Sequence, residues 1–127
     1  MQKLDRTGVI LYVHAYRACL NFYREVLRLP VLFEQATLCC FAYGAGYLMV
    51  EMDDETPVEE KPPLGTRSCL RLHVADVRAA CARLEAHGIP FDYQEHDWGT
   101  VAKFRDPDGN LLAYKDTASF EQQVERG

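Results

Sequence analysis

The sequence predicts an α+β fold made of two βαβββ modules, and three observations predict it. First, the chain resembles itself: the stretch from Val9 to Cys19 reads like the stretch from Leu70 to Ala80. In both copies an alternating strand runs directly into an Ala/Arg-rich helix. Second, Arg28-Leu29-Pro30 and the apolar residues after it echo Gly88-Ile89-Pro90 and its successors. Third, short runs of β-formers separated by turn residues follow each helix. A repeat of this length means two similar half-domains. The 127 residues suit one domain spanning 1–127, and 48% hydrophobic with 26% charged residues is an ordinary globular balance.

The first module covers about 7–52. Residues 7–13 alternate around Val9, Leu11 and Val13, the period of a half-buried strand. Residues 15–27 form a helix, because Ala18, Phe22 and Val26 with Cys19, Tyr23 and Leu27 make an apolar stripe. Pro30 bars its continuation. Strands follow near 31–35, 38–43 and 47–52, with Gly44-Ala45-Gly46 as a hairpin turn. Pro57, Pro62, Pro63 and Gly65 mark a linker over 53–66.

The second module, about 67–115, repeats the order. A strand covers 68–74, and Asp76 N-caps a helix over 77–87. Gly88 suits the left-handed position after that helix, and Pro90 stops it. Strands near 91–95, 100–105 and 111–115 follow, the last two joined by the turn Asp106-Pro107-Asp108-Gly109-Asn110. Residues 93–100 are rich in functional side chains for a loop between strands, and within the C-terminal tail 117–127 residues 120–126 read as a short helix or a frayed end.

Charge and cysteines exclude several classes. The net charge is −5, and no basic stripe is present, which argues against nucleic acid. The acidic run from Glu51 to Glu60 reads as solvated linker. No apolar run spans a bilayer and Met1 to Arg6 has no signal-peptide core, so the expectation is a cytoplasmic protein without membrane contact. Five cysteines in no zinc-type spacing are expected to be reduced thiols, with Cys19, Cys39, Cys40 and Cys81 as small core residues.

The order of elements, with Asn21-Phe22-Tyr23-Arg24-Glu25-Val26-Leu27 in one half and the Asp106 to Asn110 turn in the other, resembles the vicinal oxygen chelate superfamily. That family includes glyoxalase I, bleomycin-resistance proteins, fosfomycin-resistance enzymes and extradiol dioxygenases. The resemblance implies helices on one face of the sheets, an open concave cleft on the other (the glyoxalase-like fold), and a homodimer. One departure lies at Leu27-Arg28-Leu29, where the family has glycine in the middle. A left-handed residue there costs about 1 kcal/mol without glycine.

Metal-using members of the family take one ligand from the first and last strand of each module, typically His, Glu, His, Glu. Counted from the motifs, those positions fall here on Gly8, Glu51, Cys69 and Ala113. Gly8 and Ala113 have no donor atom, and zinc or non-haem iron needs three or four protein ligands. The expectation is no metal and no cofactor.

Strand parity then gives the other cleft residues. Ile10 and Tyr12 share a face with Gly8, Tyr47 and Met49 with Glu51, Arg71 and His73 with Cys69, and Leu111 and Lys115 with Ala113. The opposite set, Val9, Leu11, Val13, Leu48, Val50, Leu70, Leu72, Val74 and Leu112, is uniformly apolar. The expected ligand-binding residues are Tyr12, Tyr47, Met49, Glu51, Cys69, Arg71, His73, Trp98 and Leu111. Arg71 suits a carboxylate or phosphate. Cys69 reads as a small buried thiol in the space of the family's histidine, with a nucleophile as the alternative. His96 beside Asp97 is no catalytic pair, since adjacent residues seldom face each other.

The leading functional expectation is a metal-independent small-molecule-binding protein, similar to the bleomycin-resistance type. The alternatives are a lyase, isomerase or transferase with a degenerate metal site, and a ligandless interaction module.

Overall fold

A computed structural model describes residues 2–53 and 68–126. The expected linker prolines and Gly65, with most of the acidic run, lie outside the described residues. The chain divides into two compact units, Met1–Pro63 and Leu64–Gly127.

The first unit contains β1 (Gly8–Val13), a helix α1 (Tyr16–Asn21) that continues as a π-turn over Phe22–Val26, then β2 (Val31–Glu34), β3 (Leu38–Tyr43) and β4 (Gly46–Met52). Its sheet has the order β1-β4-β3-β2. The first and last strands lie side by side and parallel, Gly8 opposite Tyr47 and Tyr12 opposite Glu51. Parallel neighbours need a crossover, and α1 supplies it by packing on β4.

The expected parity holds in this sheet. Val13, Leu48 and Val50 are buried toward the helix, joined by Cys39 and Phe41 of β3. From the helix come Tyr16, Cys19, Leu20, Phe22, Tyr23, Val26 and Leu27. Ala18, expected in the stripe, is exposed, because it lies one position beyond the stripe's edge. Leu27 N–H donates to Phe22 O at 3.0 Å, five residues back, so the widened turn lets Phe22, Tyr23, Val26 and Leu27 all point inward. Burial pushes the Cys39 and Cys40 thiols up, which keeps them protonated and unreactive. The tight turn between β3 and β4 carries its positive φ at Gly44, 57°, as a two-residue hairpin of the II′ kind requires. Asp53, expected in the linker, extends the module: its N–H donates to Val13 O at 2.8 Å.

The second unit has β5 (Leu70–Val74), α2 (Val77–Ala86), β6 (Asp92–His96), β7 (Gly99–Arg105), β8 (Leu111–Asp116) and α3 (Thr117–Arg126). Its sheet order, β5-β8-β7-β6, repeats the first. Here α2 lies on β7 and β8, burying Val77, Cys81 and Leu84 against Ala102, Phe104, Leu112 and Tyr114. Asp76 caps α2 as expected, accepting from Ala79 N at 3.1 Å. The β7–β8 turn is organised by the buried Asp106 carboxylate. It accepts from the backbone N–H groups of Asp108 and Asn110, both at 2.9 Å, and from Asn110 Nδ2 at 2.8 Å. The strands expected near 91–95 and 100–105 are β6 and β7, joined by a turn of only Asp97 and Trp98 rather than a longer loop over 93–100, and of the two readings of the tail the helix holds, starting at Thr117.

The two crossover helices end alike with different residues. Gly88 has φ 69°, and Ile89 N–H donates to Leu84 O at 2.9 Å, closing a left-handed cap. Arg28, its counterpart in the repeat, has φ 57° and keeps the left-handed geometry without glycine's freedom. Nothing lies within 4 Å of a Cβ built on Gly88, so the cost there is backbone conformation alone. Arg28→Gly is therefore expected to raise stability by about 1 kcal/mol and Gly88→Ala to lower it by a similar amount. Urea midpoints of the two variants measure both.

Candidate functional site

Each sheet has one helix-covered face and one open face, and the polar side chains gather on the open one. In the second module the strand register sets them in rows. Arg71 lies opposite Ala113, Ala113 opposite Lys103, and Lys103 opposite Asp92. The next row runs His73, Lys115, Val101, Gln94. Ala113 puts only a methyl between two long cationic side chains, and a hollow of about 350 Å³ opens there. Cys69, Arg71, Gln94, His96, Trp98, Val101, Lys103, Leu111 and Ala113 line it.

The far wall is built by the β6–β7 hairpin. Trp98 sits in its turn and stacks on His96, with ring centroids 4.6 Å apart and planes 9° from parallel. His96 is held by Gln94, Nε2 to Oε1 at 2.8 Å, and Gln94 Nε2 donates to Asp92 Oδ2 at 2.9 Å. Because the Gln94 nitrogen donates to Asp92, its oxygen must accept, which places a hydrogen on His96 Nε2.

Beside this wall, the start of α3 folds against the sheet. Lys115 is completely buried, with its ammonium 5.6 Å from the centroid of the Trp98 ring and in contact with Ser119 Oγ. Asp116 accepts from Thr100 N at 2.8 Å, and from Ser119 N and Oγ at 2.9 and 2.7 Å. Those backbone and hydroxyl bonds, Thr100 first, hold its carboxyl well below the usual carboxylate range against the opposing effect of desolvation. Gly99, φ 142°, leaves room for the group, since a Cβ there would collide with Ser119, Lys115 and Asp116.

Of the expected site residues, Cys69, Arg71, Trp98 and Leu111 come together in the hollow. His73 shares their face, but its ring packs edge-on against Phe120 of α3, centroids 4.8 Å apart, and does not line the hollow. Cys69 is exposed rather than buried, because it precedes the first paired residue of β5 and its thiol sits at the strand end near Leu70 O. Tyr12, Tyr47, Met49 and Glu51 lie on the open face of the first sheet, Tyr12 beside Glu51. Gln94, His96, Val101 and Lys103 were absent from the expected set. Parity carried across the two hairpin strands, as it was along the other four, would have found them.

The four positions where the family's metal users place ligands do not fit a metal. A Cβ on Gly8 would collide with the ring of Tyr47, so an aromatic ring occupies the space of the first ligand. Ala113 is buried and offers carbon alone. Among the described residues, no three His, Cys, Asp or Glu side chains cluster as a metal site.

The fold and this face define a glyoxalase-like scaffold, and comparison with known proteins agrees. The chain belongs to the Glyoxalase/Bleomycin resistance protein/Dioxygenase superfamily, whose family model matches residues 3–114. Among solved structures it is similar to TnmS3, an antibiotic binding protein from Streptomyces sp. CB03234, with 27% identity and a TM-score of 0.71 over 91% of this chain and 98% of that one. A lactoylglutathione lyase from Agrobacterium tumefaciens matches with 22% identity and a TM-score of 0.71, over 91% of this chain and 96% of that one. A glyoxalase/bleomycin resistance protein from the same Streptomyces strain is 28% identical, with a TM-score of 0.66 over 87% and 99%. No curated protein matches the chain in sequence. No helix among the described residues is long and apolar enough to cross a membrane.

The Asp116 cluster yields a pH test. A carboxyl whose folded pKa is depressed stabilises fully above its unfolded value, about 3.9, and loses that contribution as pH falls through the folded value. Asp116→Asn should therefore destabilise the protein at neutral pH, with the difference from wild type shrinking below about pH 4. Urea unfolding of both proteins across acidic pH measures it.

Proposed function

We propose that this chain is a metal-independent small-molecule-binding protein of its superfamily, with the ligand held on the open face of the second module. The observation that carries the reading is the hollow itself. The family's fourth ligand position has become the methyl of Ala113, and around it stand Arg71, Lys103, Gln94, His96 and Trp98. A volume of about 350 Å³ is at the lower end for small-molecule sites. Its mixture of aromatic, apolar and a few polar side chains is the composition such sites have. A relative at 27% identity described as an antibiotic binding protein supports binding as the activity.

Binding here needs no bound-water chemistry, and Gly8 and Ala113 contribute nothing that would support it. The first sheet's open face, with Tyr12, Tyr47, Met49 and Glu51, belongs to the same reading as a second ligand-facing surface. The protein acts as a cytoplasmic homodimer, so light scattering should return twice the 14.5 kDa of one chain.

Elemental analysis of purified protein should find no stoichiometric zinc, nickel, manganese or iron, and stoichiometric metal would overturn the metal-free reading. Trp98 is the only tryptophan, so the protein has one indole N–H resonance. Titration with 2-naphthoate or 2-naphthalenemethanol should shift it. Ala113→Leu, which fills the hollow, should weaken the interaction by about tenfold or more while the variant stays folded. Failure of both probes to move the resonance would sink the site.

A further inference from the structure

We infer that Lys115 is a positioning residue: its buried ammonium, fixed by Asp116 and Ser119, holds the Trp98 indole in the orientation that forms the far wall of the hollow. This rests on the binding reading above and names a residue outside the lining that sets the shape of the site.

Trp98 needs such a support. It sits in a turn of two residues and is 43% exposed, so burial alone does not fix its ring. Two contacts do. One is the parallel stack with His96, and the other is the Lys115 ammonium, 5.6 Å from the ring centroid. A cation at that distance is attracted by the negative face of the indole, most strongly where water is excluded. Water is excluded here, since Lys115 is completely buried.

Burying an ammonium is costly unless partners replace its water. Lys115 Nζ lies 3.4 Å from both Asp116 Oδ1 and Asp116 O, and it touches Ser119 Oγ. The same Asp116 Oδ1 accepts from Thr100 N at 2.8 Å and from Ser119 Oγ at 2.7 Å. One carboxylate oxygen therefore ties together β7, the first turn of α3 and Lys115. Gly99, between Trp98 and Thr100, lets the turn approach this cluster, because a Cβ there would collide with all three side chains.

An apolar residue would fill the covered position on β8 without that cost, so the charge is explained by what the ammonium touches. The same logic gives α3 a role that packing does not. None of its residues is buried, and Phe120 and Val124 stay exposed. What the helix brings to the hollow is the Ser119 hydroxyl, acting through Lys115 on Trp98.

The test uses the full-length protein, first without ligand. The ε-methylene protons of Lys115 should be shifted upfield by the indole ring current, and the rings of His96 and Trp98 should give mutual nuclear Overhauser contacts. Lys115→Met keeps an unbranched stem and deletes the charge. Replacing a buried ion by an apolar residue of similar volume is often neutral or stabilising, so the urea midpoint should hold or rise. The His96–Trp98 ring contacts should nonetheless weaken, and affinity for 2-naphthalenemethanol should fall by about fivefold. That probe is neutral, so losing a charge does not by itself alter its binding. Ser119→Ala should produce the same changes to a smaller degree.

Lys115 ε-methylene protons at ordinary positions would overturn the inference, as would ring contacts unchanged in folded Lys115→Met. Affinity lost with the ring contacts intact also overturns it, because Lys115 would then act by a route other than Trp98. So does affinity unchanged with the contacts weakened. If Lys115→Met does not fold, the same outcomes are read on Ser119→Ala. If wild type binds no probe, the binding reading fails, and the ring contacts alone decide whether Lys115 orients Trp98.

Discussion

In each module the first strand must pair in parallel with the last, and most of the architecture follows from that constraint. Gly8 to Val13 runs alongside Tyr47 to Met52, and Leu70 to Val74 alongside Leu112 to Asp116. A parallel pair cannot be joined by a hairpin, so the chain crosses over one face of the sheet as a helix. The residues facing that helix must be apolar, and Leu48, Val50, Leu112 and Tyr114 are. Because each module has one crossover helix, its other face is left for different work. The polar and aromatic side chains of β5 to β8 collect there by register.

Within that face, the identity of one small residue decides what the position can do. A histidine or carboxylate at the place of Ala113 would fill the space between Arg71 and Lys103. An alanine leaves a hollow and removes a donor atom at once. Gly8 shows the reverse outcome of the same loss, since the ring of Tyr47 lies over it and closes the space. Deleting a ligand side chain thus has two physical endings, a cavity or a collapse. Each of these sheets shows one.

The sequence was most legible where the period was strict. Alternation in β1, β4, β5 and β8 assigned both faces correctly, and the cap residues Asp76 and Gly88 marked the ends of α2. The strands of the β6–β7 hairpin were legible but their faces were not, because Gln94, Glu95 and His96 are polar on both faces and the turn, Asp97-Trp98, lacks the Asn-Gly signal. Without that assignment Gln94, His96, Val101 and Lys103 of the hollow's lining went unseen. Cys69 was misplaced for a subtler reason. Its face was right, but burial depends on how far the ladder extends, and β5 begins one residue later. The π-turn in the first helix left no mark in a stripe that fits an ordinary helix nearly as well.

The duplication also bears on how the chain acquires this structure. Among the described residues every strand finds its partners inside its own module, so neither sheet contains a described residue from the other half. Hairpins and helices form in microseconds, whereas the ribosome adds roughly 5–20 residues per second. The first module can therefore reach its topology seconds before the second has been synthesised. A unit of about 60 residues buries only about 60% of its surface and is marginal by itself. The nascent chain thus passes through an interval in which a half-built protein, with its cysteines and apolar edge strand in place, depends on the translation machinery's surroundings for protection from aggregation.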